Sequence, residues 1–198
     1  MRKIDPVRHE QKRRKILQAA WRCFLRNGLG ASTAEICAEA VISPGHLYHY
    51  FESKDAIVAA LATAKLDEAT ERIKRSITAG VPALDTILSE VGQLTGSRRR
   101  AEFALLFEML AESTRTPAMA RLLQDSSRQV RKLLATVLQH GQACGEIDPT
   151  VEPELAASVL IGVVDALRAM RLRAPDLDAS NVAALFETAV RRLLGARA

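Results

Sequence analysis

Two helix-start signals stand eleven residues apart, and the space between them admits two helical turns and a tight connection. The first is Ser32-Thr33-Ala34-Glu35. Its serine hydroxyl can accept from the amide three residues on while the glutamate reaches back, which makes a capping box. The second is Ser43 as N-cap with Pro44 at the first helical position. Between them Ile36, Cys37 and Ala40 form a small inward face, and small side chains let a following helix cross closely. This geometry predicts a helix-turn-helix. Its second helix, Pro44 to Phe51, presents Gly45, His46, Tyr48 and His49 outward and anchors Leu47, Tyr50 or Phe51 inward. The leading Pro, Gly and His carry little bulk, so that end can enter a major groove.

The flanking stretches read as supports for this pair. A first helix runs from about Val7–Gln11 to Asn27-Gly28, where glycine suits a left-handed cap. Ile16, Leu17, Ala20, Phe24 and Leu25 make its apolar stripe, with Lys12, Arg13, Lys15, Arg22 and Arg26 outside it. Trp21, the single tryptophan, is expected to pack rather than stack on a base. Arg2, Lys3 and Arg8 around Pro6 form a basic arm of a kind that can reach into a minor groove or stay disordered. Ser53-Lys54-Asp55 opens a long fourth helix ending near Ala79-Gly80. Its free amides, dipole and Lys54 suit a phosphate.

Charge supports a polyanion partner. Residues 1–54 hold ten Lys or Arg against five Asp or Glu, whereas residues 55–198 hold eighteen of each. The whole excess of +5 therefore lies beside the helix-turn-helix pattern. A solvated basic tail would produce the same numbers. No apolar run approaches a bilayer-spanning length, and the polar, basic start does not read as a secretory signal. Cys23, Cys37 and Cys144 are too few and too scattered for a disulfide framework or a zinc site. A cytoplasmic location is expected.

Beyond Gly80 helical periodicity continues and no stretch alternates convincingly, so an all-α fold of about nine helices is expected. Helices are predicted from Pro82 to Thr95-Gly96, from Arg98-Arg99-Arg100 onward, and from Thr116-Pro117 to His140. Two more run from Glu152-Pro153 to Leu172, closed by Pro175, and from about Ser180 to Gly195. This divides the chain into a DNA-binding domain (1–53), a connecting helix (54–80) and a larger helical domain (81–198). The helix from Leu155 to Leu172 is apolar around much of its circumference, whereas a terminal helix needs one apolar stripe. The second stripe faces either a dimer partner or a well-buried core of its own chain. Ser158, Gly162, Asp165, Leu185, Phe186 and Ala189 are the candidate interface residues. Asp165 and Arg168 are expected to pair with each other or across a dimer.

The stretch from Thr33 to Lys54 resembles the DNA-binding signature of the TetR family of bacterial transcriptional regulators. Thr33, Glu35-Ile36, Ala38, Ala40, Ser43, Gly45, Leu47-Tyr48, Tyr50-Phe51 and Lys54 carry it, with Ile57 and Leu61 following. The resemblance implies an all-helical homodimer that binds a pseudo-palindromic operator and releases it when a small molecule enters the C-terminal domain. It places phosphate contacts on Thr33, Tyr48, Tyr50 and Lys54 and base readers on Pro44, Gly45, His46 and His49, with Ser43 at their head. One position departs from the family: Val41 stands where glycine is usual. A left-handed turn there strains a β-branched residue, so either the turn is reshaped or the strain is tolerated.

No catalytic constellation is visible: no phosphate loop, nucleophile elbow or histidine pair at metal spacing. An enzyme, a metal site and a bound cofactor are not expected. Glu108 and Glu112, with Arg115 beyond, read as a solvated helix face. Candidate effector-lining residues are Phe103, Phe107, Met109, Met119, His140 and Cys144, and as a set they fit plain core equally well. The leading reading is a ligand-responsive transcriptional repressor. The alternative is a helical redox-sensing or protein-interaction module without operator binding, in which Cys144 is the candidate sensor.

Overall fold

The computed structural model describes residues 6–95, 99–174 and 176–195. Arg2, Lys3, Gly96, Arg98 and Pro175, named above, lie outside them. Among the described residues there are nine α-helices and no strand. They are α1 (Pro6–Asn27), α2 (Thr33–Ala40), α3 (Pro44–Tyr50), α4 (Lys54–Thr78), α5 (Ala83–Thr95), α6 (Arg100–Ser113), α7 (Pro117–Ala143), α8 (Pro153–Arg173) and α9 (Ala179–Leu193). A 3-10 turn, Gly28–Gly30, joins α1 to α2.

The helix starts follow from local chemistry. Ser32 and Glu35 form the reciprocal box, with the Glu35 amide donating to Ser32 Oγ at 3.2 Å and the Ser32 amide donating to the glutamate at 2.7 Å. Ser43 Oγ accepts from the His46 amide at 3.3 Å, with Pro44 at the first position of α3. Ser53, Glu152 and Asp178 cap α4, α8 and α9 in the same manner.

The described chain forms two compact units, the first of residues 6–65 with 104–123 and the second within 66–103 and 124–195. These limits differ from the divisions at 53 and 80 expected from sequence. They fall inside α4, α6 and α7, and of these α4 and α7 have side chains in both cores. In the first unit Ile16, Leu17, Phe24, Ile36 and Leu47 pack with Ile57, Val58 and Leu61 of α4, Leu105 of α6 and Met119 of α7. In the second, Ile73 packs with Leu84, Ile87, Val137, Leu138, Leu160, Val164, Phe186 and Val190.

Each unit carries polar ties between helices. In the first, Glu39 of α2 accepts from Arg22 at 2.7 Å and from Arg26 at 2.6 Å, both on α1. In the second, Arg72 of α4 makes a bidentate pair with the largely buried Glu90 of α5 at 2.9 and 2.8 Å. Asp165 and Arg168 pair with each other at 2.7 Å.

Candidate nucleic-acid interface

α3 has seven residues, too few to hold a helix in water by propensity alone. One side chain fastens it: Leu47 is 1% exposed in the core of α1, α2 and α4. Phe51, just after the helix, is also buried, while Tyr50 is half-buried. The residues left outward are Pro44, Gly45, Tyr48 and His49, with His46 half-exposed. Tyr48 is 53% exposed, which is unusual for so large a side chain unless something else covers it. The expected inward and outward faces of α3 are therefore the observed ones, with Tyr50 intermediate.

Tyr50 is the centre of a ring cluster. His46 and His49 of α3 lie with centroids 5.5 and 5.2 Å from it. His9 of α1 lies at 4.6 Å, tilted by 31°. Sequence reading gave His9 no role, because nothing in its neighbourhood distinguishes it from the other polar residues at the start of α1. It braces the recognition helix from the first helix and adds a third imidazole to this face. Among the described residues, no three His, Cys, Asp or Glu side chains are grouped to hold a metal ion.

Lys54, at the first turn of α4, is half-buried, and its ammonium donates to the Leu29 carbonyl at 2.8 Å. An ammonium has three donors, so this bond fixes the side chain while leaving donors for a phosphate. The amide of the same Leu29 donates to Glu108 of α6 at 3.0 Å. Gly28 has a φ of +60, which favours glycine, and a Cβ there would also displace the Glu108 carboxylate from its place. Glu108 is exposed, as expected of a solvated helix face, and its carboxylate in addition accepts from the Leu29 amide. It ties the α1–α2 junction to α6, and the half-buried Glu112 pairs with Arg115 at 3.2 Å. Thr33 is half-buried in the first turn of α2, immediately after the Ser32 cap.

The turn between α2 and α3 resolves the question posed by Val41. Its φ is 54 and its ψ 53, in the left-handed region. The Val41 amide donates to the Ala38 carbonyl at 3.2 Å and the Ile42 amide to the Cys37 carbonyl at 3.0 Å. This is the hydrogen-bond pattern of a Schellman cap, which usually employs glycine. The turn keeps its ordinary shape and the valine bears the strain.

Other charges near this face are partly engaged. Arg22 and Arg26 are bound by Glu39, whose carboxyl is held below its ordinary value by hydrogen bonds from Arg26 and then Arg22. Glu35 is likewise lowered, first by the Ser32 amide and then by its hydroxyl. Trp21 is half-buried against the core with Lys65 above its ring at 5.0 Å, a packing role.

Away from this face, the candidate lining residues divide. Met119 is buried in the first unit's core with Met109 packed at its edge, and Phe107 is half-buried. Phe103 is 2% exposed in the second unit. Cys144 is exposed at the end of α7, its sulfur 3.9 Å from His140 Nε2. The structure brings His140 and Cys144 together and gives Met119 a core position. Of the candidate interface residues, Ser158, Gly162, Leu185 and Ala189 are exposed and Asp165 is half-buried, while Phe186 is 6% exposed within its own chain's core. Phe186 and Leu185 are neighbours about 100° apart on the helix, so only one can face inward.

A seven-residue helix seated by a single leucine, entered through a tight turn and fringed by outward tyrosine, histidine and lysine, defines a helix-turn-helix DNA-binding unit. Comparison with known proteins gives the family. A model of bacterial regulatory proteins of the tetR family matches residues 16–61, and one of the C-terminal part of BetI-type transcriptional repressors matches residues 82–195. The HTH-type transcriptional regulator UidR of Escherichia coli K12 is 30% identical over 186 residues, covering 92% of this chain and 91% of its own. Salmonella enterica GusR superposes with a TM-score of 0.79 at 29% identity, over 97% of this chain and 98% of its own. Reduced Escherichia coli NemR shares the fold, with a TM-score of 0.77 at 21% identity over 94% and 100% of the two chains. The chain belongs to the TetR family: it is a DNA-binding transcriptional regulator and not an enzyme.

Proposed function

We propose that the protein is a cytoplasmic, homodimeric repressor that binds a pseudo-palindromic operator and releases it when a small molecule enters the second unit. The observation that carries the dimer is a pair of apolar stripes left bare on α8 and α9. Leu155, Val159 and Met170 are 67%, 48% and 37% exposed on α8, and Leu185 and Leu193 are 72% and 40% exposed on α9. Gly162 and Ser158 lie exposed among them, with nothing within 4 Å of a Cβ built on Gly162, so a second backbone can approach closely. The opposite stripe of α8 (Ala156, Ala157, Leu160, Val164) is already buried in the chain's own core. Covering the bare stripes with a second copy makes a four-helix interface and pairs two recognition helices, as a two-fold operator requires.

On DNA, Thr33, Tyr48, Tyr50 and Lys54 hold phosphates and set register, while Pro44, Gly45, His46 and His49 meet base edges, with Ser43 at the groove's rim. For the effector, Phe103 and His140 remain the candidates within the second unit. Thr86 of α5, in the same unit, is 2% exposed and its hydroxyl has no partner among the described residues, so a polar ligand atom can satisfy it. The redox alternative retains Cys144 alone, because Cys23 and Cys37 are buried and burial pushes the Cys23 thiol up, away from the reactive thiolate.

Analytical ultracentrifugation of the wild type and Leu185→Glu tests the dimer. A dimer that the charge dissociates, with loss of operator binding, is expected; a monomeric wild type contradicts the proposal.

A further inference from the structure

We infer that Val41 is a specificity-determining residue of the DNA interface, its isopropyl group contacting the methyl of a thymine in each operator half-site. The inference rests on the operator-binding role proposed above. Among the described residues Val41 is the sole non-glycine with a positive φ. A β-branched residue is especially costly in the left-handed region, and such outliers persist where something over-determines them.

Folding does not account for it. The two turn hydrogen bonds are made by backbone amides, so glycine would make them equally well. Nor does the core, since the side chain is 89% exposed while its neighbour Ile42 packs against the buried cluster. In the free protein the valine is therefore unfavourable twice, through strain and through an apolar surface left in water.

Its place supplies the use. Val41 lies two residues before the Ser43 cap and three before Pro44, at the point where α3 begins. Three residues span at most about 10 Å, roughly three base-pair steps along a groove. An isopropyl group has no donor or acceptor, so it reads no base edge by hydrogen bonding. The apolar feature of the major groove is the C5 methyl of thymine, which cytosine and uracil lack. Burying one methyl-sized contact changes affinity by roughly fourfold.

The test uses a duplex footprinted from the DNA flanking the gene, with each thymine replaced in turn by deoxyuridine, and reads affinity by fluorescence anisotropy. One replacement per half-site should weaken wild-type binding roughly fourfold, and that difference should vanish in both Val41→Gly and Val41→Ala. Glycine relieves the strain, whereas alanine keeps a Cβ in the strained turn and lacks the methyls, so agreement of the two assigns the effect to contact. Circular dichroism melts should show Val41→Gly at least as stable as wild type, which keeps the comparison free of unfolding. Wild-type binding in which no replacement acts through Val41 overturns this inference alone. Failure of the wild type to bind the flanking DNA overturns it together with the operator reading.

Discussion

Replacing Leu47 with alanine tests how the recognition helix is held. Leu47 is the only buried side chain of α3 and is 1% exposed. The substitution removes three carbons, about 2.4 kcal/mol at roughly 0.8 kcal/mol for each. The partial cavity brings the expected cost to about 3 kcal/mol, within the usual range for buried leucine. That loss should be local, because α3 is too short to persist once its anchor is gone. Amide hydrogen exchange resolves it: protection of residues 44–51 should fall by roughly a hundredfold (each 1.4 kcal/mol being tenfold), while amides of α8 in the second unit keep theirs. Operator affinity should fall as well, in proportion to the fraction of molecules with α3 formed. A stability loss below about 1 kcal/mol, or equal losses of protection in both units, would refute the idea that a single leucine seats the reading head.

Thr86→Val removes a buried hydroxyl without a partner, and the thermal midpoint should rise by the equivalent of about 1 kcal/mol in stability; a drop would show that the hydroxyl is bonded in solution. Acid should loosen the first unit through Glu39 and Glu35. Both carboxyls lie below their ordinary value in the folded chain, so their contribution is complete above the unfolded carboxylate range and is lost as pH falls through the folded values. Glu39→Gln should make the pH dependence of first-unit hydrogen exchange shallower, without abolishing it. An unchanged slope would dismiss the Arg22–Glu39–Arg26 tie as a titrating group.

What sequence could show about this chain follows the range of the interactions. The capping residues Ser32, Glu35, Ser43 and Pro44 act over three or four positions and were readable in order along the chain, whereas the departure at Val41 was visible but its left-handed turn was decided only by the structure. Glu108 acts on Leu29 across 79 residues, and its neighbours Glu112 and Arg115 do form the ordinary surface pair that disguises it. The limits of the units were hidden for a related reason: they fall inside α4, α6 and α7, whose helical pattern runs on without a break. On α9 Phe186 and Leu185 are both apolar, and periodicity alone does not say which of two apolar stripes belongs to the chain's own core. His9 was missed because a ring contact between α1 and α3 has no local signature. Effector lining was least legible of all, since Phe103 and Met119 serve a core and a pocket wall with the same chemistry.

Gripping of DNA by residues 33–54 is tested most directly by operator affinity in Tyr48→Ala and Lys54→Ala dimers across a salt series. Tyr48 is exposed, so its loss should leave folding intact while affinity falls at least tenfold, about 1.4 kcal/mol or more. Lys54→Ala should in addition make the dependence on salt shallower by about one unit in the logarithmic slope. Unchanged affinity and an unchanged salt slope in both variants, with dimers intact, would contradict the assignment of this face to DNA.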